Sequence, residues 1–128
     1  MITDSRDTRF LNVDLELYYK ADFRELENEF REKAIVLQNY NGFLSVESNG
    51  NALDITATIA ELTDVVSGLS DEARKIWDAC DIRRFNIGIS SGIKQGQYVF
   101  SISDKTISVL SSINAELAVT IYRVDDSA

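Results

Sequence analysis

Leu11, Val13, Leu15 and Leu17 alternate with Asn12, Asp14, Glu16 and Tyr18, a period of two that predicts a half-buried strand with one polar face. The period then lengthens. Phe23, Leu26, Phe30 and Ala34 recur at helical spacing, and Asp22 with Glu25 forms a capping-box-like start. Ile35–Tyr40 and Phe43–Glu47 flank Asn41-Gly42, the strongest short hairpin signal in the chain. A turn at Asn49-Gly50-Asn51 leads into a long helical stretch whose apolar face is Ile55, Ile59, Leu62, Val66 and Leu69. Gly68 breaks it, and Ser70 caps a second helix carrying Ala73, Ile76, Trp77 and Cys80.

Strand periodicity returns where Phe85, Ile87 and Ile89 alternate with Arg84, Asn86, Gly88 and Ser90. Tyr98, Phe100 and Ile102 predict its hairpin partner, across a loop containing Gly92 and Gly96. Ser103 caps a last helix with Ile107, Leu110 and Ile113, and Asn114 stands where a left-handed C-cap is tolerated. Leu117, Val119 and Ile121 close the chain as a strand.

This order predicts an α+β domain: a mixed, largely antiparallel sheet of about six strands with helices on one face, ferredoxin-like or an elaboration of it. A length of 128 residues fits one domain over 1–128, with an ordered core of about 10–124 and ragged ends. The polar alternates imply a second sheet face open to water. Asp14, Glu16 and Tyr18, with Asn12, share it with Arg84, Asn86 and Ser90; Ser101, Thr120 and Tyr122 complete a candidate face for a partner or ligand. Tyr and Arg are favoured at interface hot spots. The plainer alternative is that these are cross-strand pairs, each contributing roughly 0.2–1 kcal/mol to the sheet. Asp14, solvated on an open sheet beside Glu16, is expected to titrate normally.

Charge sharpens the picture. The net charge is −8, but residues 1–81 hold 17 acids against 8 bases while residues 82–128 hold 4 against 5. Such a field repels phosphate backbones, so no nucleic-acid partner is expected, and it favours a basic protein. The helical acids Asp54, Glu61, Asp64, Asp71, Glu72 and Asp78 offer a second docking surface or simply a solvated one. No apolar run is long enough for a membrane span, and the polar start, read as the native N-terminus, predicts a cytoplasmic protein. Cys80 is the only cysteine and falls among apolar helical positions, so it reads as a small buried hydrophobe.

The chain has no histidine, which removes the commonest general base, the Ser-His-Asp and Cys-His constellations and the usual zinc ligands. Gly88-Ile89-Ser90-Ser91-Gly92 has the outline of a nucleophile elbow without a histidine to activate Ser90. Gly92 and Gly96 bracket Lys94 without the order of a phosphate loop. No catalytic residue, cofactor or metal is expected.

Three stretches carry a resemblance: Leu11-Asn12-Val13-Asp14-Leu15-Glu16, Arg84-Phe85-Asn86-Ile87-Gly88-Ile89, and Phe100 to Ser103 running on to Leu117-Ala118-Val119-Thr120-Ile121-Tyr122. Together they resemble a group of small bacterial α+β proteins that begin with a Val-Asp-Leu-Glu strand and finish on a Leu-Ala-Val-Thr-Ile-Tyr strand. The resemblance implies the fold over residues 10–122 and no activity. By analogy with small acidic bacterial proteins encoded beside toxins, it implies an immunity protein that blocks a toxin by direct binding. The leading expectation is therefore a non-enzymatic bacterial protein-binding domain. The alternative is a small-molecule-sensing or regulatory domain, with Gly92–Gln97 covering a pocket on the open face where Asp14, Arg84 and Tyr122 converge. A homodimer joined by sheet faces or edge strands is a third arrangement.

Overall fold

The computed structural model describes residues 7–50, 54–93 and 96–123. The turn residue Asn51, the loop residue Lys94 and the ends expected to be ragged, save residues 7 and 8, lie outside them. The elements are β1 (Arg9–Tyr18), α1 (Arg24–Lys33), β2 (Ile35–Tyr40), β3 (Phe43–Glu47), α2 (Ile55–Ser67), α3 (Asp71–Ala79), β4 (Ile82–Ser91), α4 (Asp104–Ser112) and β5 (Glu116–Arg123). They build an α+β fold around a mixed five-stranded sheet of order β2-β3-β1-β4-β5. Every pairing is antiparallel except β4 with β5.

Asn41 and Gly42 both have positive φ, 50° and 78°, the backbone that a two-residue hairpin turn matched to strand twist requires. A Cβ on Gly42 would sit 2.7 Å from the Tyr19 carbonyl oxygen, so the turn also needs glycine for space. Asp54, Ser70 and Ser103 cap α2, α3 and α4 by accepting the N–H of Ala57, Ala73 and Thr106. Asp22 accepts instead from Arg24 N–H at 2.9 Å, two residues on, so it forms a local turn and α1 begins beyond the expected box. At the end of α4, Asn114 takes φ 58°, while Ala115 N–H donates to the Leu110 carbonyl and Asn114 N–H to that of Ser111. That is a Schellman closure with asparagine in the left-handed position.

The helices pack on one face of the sheet. Val13, Leu15, Leu17, Leu44, Val46, Phe85, Ile87 and Ile89 meet Phe23, Leu26, Phe30, Ile59, Leu62, Val66, Trp77 and Leu110 in one continuous core. Trp77 is fully buried and donates its indole N–H to the Ile113 carbonyl at 2.9 Å. Arg83 gathers the carbonyls of Trp77, Cys80 and Asn114 at 3.1, 2.6 and 2.8 Å. One cation thus satisfies the C-terminal ends of both α3 and α4. Burial lifts the Cys80 thiol to about 11, which suits a packed small hydrophobe rather than a nucleophile.

Three further expectations change, and with the first of them the expected six strands become five. Tyr98–Ile102 is not a strand: residues 97–103 run irregularly, and both flanks of β4 are taken by β1 and β5. Its short alternation arises because Phe100 and Ile102 turn against the core between exposed neighbours. Leu11 is 43% exposed because the β1–β4 register slips between Phe10 and Asn12, which hands the inward position to Phe10. Ile107 is 53% exposed, since α4 reaches the core through Leu110 and Ile113. Among the described residues, no helix is long and apolar enough to cross a membrane.

Candidate interaction face

The face opposite the helices can be read from the pairing registers. In β1 it consists of Asn12, Asp14, Glu16 and Tyr18, the alternates of the buried Val13, Leu15 and Leu17. Directly opposed residues share a face, so Glu47, Ser45 and Phe43 of β3 join Asp14, Glu16 and Tyr18. On the other side, Gly88, Asn86 and Arg84 of β4 stand opposite Asn12, Asp14 and Glu16. The parallel ladder then adds Glu116, Ala118 and Thr120, with Tyr122 beside Ser90. Nine of the ten residues expected on this face are therefore there. Ser101 is not: it lies in the irregular segment near Phe10, Asp54 and Ala57, on the helix side.

A single hydrogen-bonded chain runs across three strands. Thr120 Oγ1 donates to Asn86 Oδ1 at 2.8 Å, and Asn86 Nδ2 donates to Glu16 Oε1 at 3.3 Å. Arg84 Nη1 reaches the same Glu16 oxygen at 3.5 Å, while its Nε donates to Glu116 Oε1 at 3.0 Å. The Glu116 hydrogen bond pushes the Arg84 guanidinium further into its charged form. The guanidinium also lies 5.9 Å from the centre of the Tyr18 ring, within cation–π range. From there an aromatic row continues, with Tyr18 to Phe43 at 4.9 Å and Phe43 to Tyr40 at 6.2 Å between ring centres. Farther along, Tyr122 covers the bare backbone at Gly88, where an added Cβ would meet its ring at 3.5 Å and the Asn12 Oδ1 at 2.9 Å.

Asp14 departs from the expected ordinary titration: its pKa is raised to about 6. Half-burial is the largest cause, followed by the negative charges of Glu47 and Glu16. Glu47 is the residue directly opposite Asp14 on β3. Among the described residues, the hydrogen bond to the Asp14 side chain comes from Asn12 Nδ2, at 3.1 Å. The face is thus an acidic patch around Asp14 beside a paired and aromatic patch around Arg84 and Tyr18. Among the described residues, no group of three or more cysteines and carboxylates is arranged to hold a metal ion.

Sequence reasoning missed Tyr40, Phe43, Ser45, Glu47 and Glu116 as members of this face. The Asn41-Gly42 turn does fix Tyr40 opposite Phe43, but nothing local places β3 next to β1. The expected convergence of Asp14, Arg84 and Tyr122 does not occur: they contact different neighbours, and of the loop expected to cover them residues 94 and 95 lie outside the described residues. Its described residues Gly92, Gly96 and Gln97 instead border a cavity of about 240 Å³ on the helix side, with Ile89, Val119, Ile121 and Phe100. The helical acids are largely in structural use. Asp54 caps α2, Asp78 pairs with Arg74 at 3.3 Å, Glu61 accepts from the Ser48 hydroxyl, and Asp71 and Glu72 occupy the first turn of α3. Compared with family models, curated proteins and solved structures, the chain matches none of them.

Proposed function

We propose that this chain is a non-enzymatic, cytoplasmic protein-binding domain of bacterial type that engages a basic partner through its open sheet face. The observation that carries the reading is a five-stranded sheet with one face on which no described helix packs, where Asp14 and Glu47 form an acidic patch beside Glu16 and Glu116, the two carboxylates that pair with Arg84. Among the described strand residues of this face the other cation is Arg9, opposite Ser90 at the far end of β1. Tyr18, Phe43 and Tyr40 beside them supply rigid aromatic area, the residue types that anchor interfaces. A net charge of −8 speeds encounter with a positive surface. An immunity protein that neutralises a toxin by direct binding is the specific form we favour, on the analogy drawn from sequence. The lone buried Cys80 fits a reducing compartment.

We read the fold as an elaborated ferredoxin-like arrangement. Its support is the order β2-β3-β1-β4, all antiparallel, with helices between β1 and β2 and between β3 and β4; α4 and β5 are then the addition. The small-molecule alternative draws on the cavity bordered by Gly92, Gln97, Tyr98 and Phe100, but the walls there are mostly apolar and the polar face takes no part in it.

The test compares the immobilised native chain with a Glu16→Lys, Glu47→Lys double variant of unchanged circular dichroism, using lysate of the source cells over a salt series. A basic protein retained by the native chain, released as salt rises and absent from the variant is the expected result. Equal retention by both chains, or none at any salt concentration, overturns the proposal.

A further inference from the structure

The sheet has two edges, and they differ. β2 spans six residues and carries a register slip between Val36 and Gln38, a bulge that disrupts further pairing. β5 spans eight residues in unbroken register with β4, and no described strand lies beyond it. It has no proline or lysine, and its only charges are Glu116 and Arg123 at its ends. Its outward row of backbone N–H and C=O groups is a template for another strand.

The side chains on its helix-side row are also only partly covered. Leu117, Val119 and Ile121 share registers with the buried Phe85, Ile87 and Ile89, yet are 39%, 45% and 67% exposed. The helical layer stops short of this edge.

Two arguments identify the occupant as a second copy of this chain. The first is register. A two-fold axis normal to the sheet keeps each face on its own side, so opposed residues must have the same alternation. Centred on Val119, that symmetry sets Val119 against the partner subunit's Val119 and Leu117 against the partner subunit's Ile121. Each exposed apolar residue of the row then meets an apolar one, and Ala118 meets the partner's Thr120. A shift to a centre on Thr120 would set Leu117 against the partner's Arg123, and one to Ala118 would set Ile121 against the partner's Ala115, outside the strand, so the apolar row matches best about Val119. The second argument is charge. Residues 82–128 carry a net charge of only +1, against −9 for residues 1–81, so two copies repel least along this side.

The geometry points to a homodimer formed by antiparallel pairing of β5 with β5 about Val119, giving one sheet continuous across both subunits. Both open faces then lie on the same side of that sheet. The assembly does not depend on what the open face binds, and either can fail without the other.

The test begins with light scattering on the full chain, where a mass of twice 14.4 kDa that falls on dilution is expected. Directly opposed β-carbons lie about 4.5–5.5 Å apart, so Val119→Cys should cross-link to itself under mild oxidation or with a short bis-maleimide. Gln38→Cys, on the other edge, should not. Buried Cys80 stays out of the reaction. Val119→Lys, at a half-exposed position, should be monomeric with unchanged circular dichroism and faster amide exchange in β5. A native chain that is monomeric at all concentrations, or a dimer that survives Val119→Lys, overturns the inference. So does a Val119→Cys chain that fails to cross-link, or one that is captured only by a strand of another protein.

Discussion

Val13, Leu15 and Leu17 have no exposed surface, whereas Asp14, Glu16 and Tyr18, each one residue away on the same strand, remain in contact with water. The two rows are stabilised by different physics. The inner row is covered by α1, α2 and α3 and draws on burial of apolar area, roughly 25 cal/mol per Å². The outer row has no such cover and is held by a shared-oxygen ladder through Thr120, Asn86, Glu16 and Arg84, whose links contribute about 1 kcal/mol or less each. A face that contributes little to stability is free to change its residues without unfolding the domain. That freedom suits a binding surface, and at Asp14 the face even works against stability.

The comparison predicts a graded set of outcomes. Trp77→Ala, at the centre of the helix-covered side, should cost about 3–5 kcal/mol in urea unfolding, from its cavity and the orphaned Ile113 carbonyl. A loss below about 1 kcal/mol would break the contrast between the faces.

Asp14→Asn should have the opposite sign. The folded carboxyl titrates near 6 and the unfolded one near 3.8, so the folded state holds the extra proton between those values. Stability contributed by Asp14 is present below the unfolded pKa and lost as pH rises toward 6. At pH 7 the substitution should therefore stabilise by on the order of 1 kcal/mol, reduced from the full linkage value because the carboxyl is only half-buried. The gain should fade toward zero at pH 4. A stabilisation that is the same at both pH values would show that ionisation of Asp14 is not its origin.

Arg84→Met should be smaller again, about 0.2–1 kcal/mol, and should shrink in high salt, since its two ion pairs are partly exposed. Chemical denaturation at low and high ionic strength separates this from a packing loss, which salt would leave in place.

Most elements were legible because their signals are local. The Asn41-Gly42 turn, the caps Ser70 and Ser103, the left-handed Asn114 and the inner stripes of α1 and α2 each depend on residues a few positions apart. The failures share a different cause. Leu11 and Ile107 have the right period but stand where a bulge or the end of the helical layer removes their cover. Tyr98–Ile102 alternates like a strand although the place beside β4 is already filled. Capping chemistry at Asp22 was visible, yet its oxygen bonds one residue earlier than the box requires.

The candidate face divides in the same way. Alternation by itself determined that Asp14, Glu16 and Tyr18 would turn from the core, as would Arg84, Asn86, Thr120 and Tyr122, because side chains in a strand must alternate. Which of them meet was decided only by strand order and register. These half-buried Asp14 and brought Glu47 beside it, which together raise its pKa, set Phe43 beside Tyr18, and placed Ser101 on the wrong side to take part. Period-two patterning is a property of a few consecutive residues, whereas a neighbour across the sheet is chosen by the packing of the whole chain.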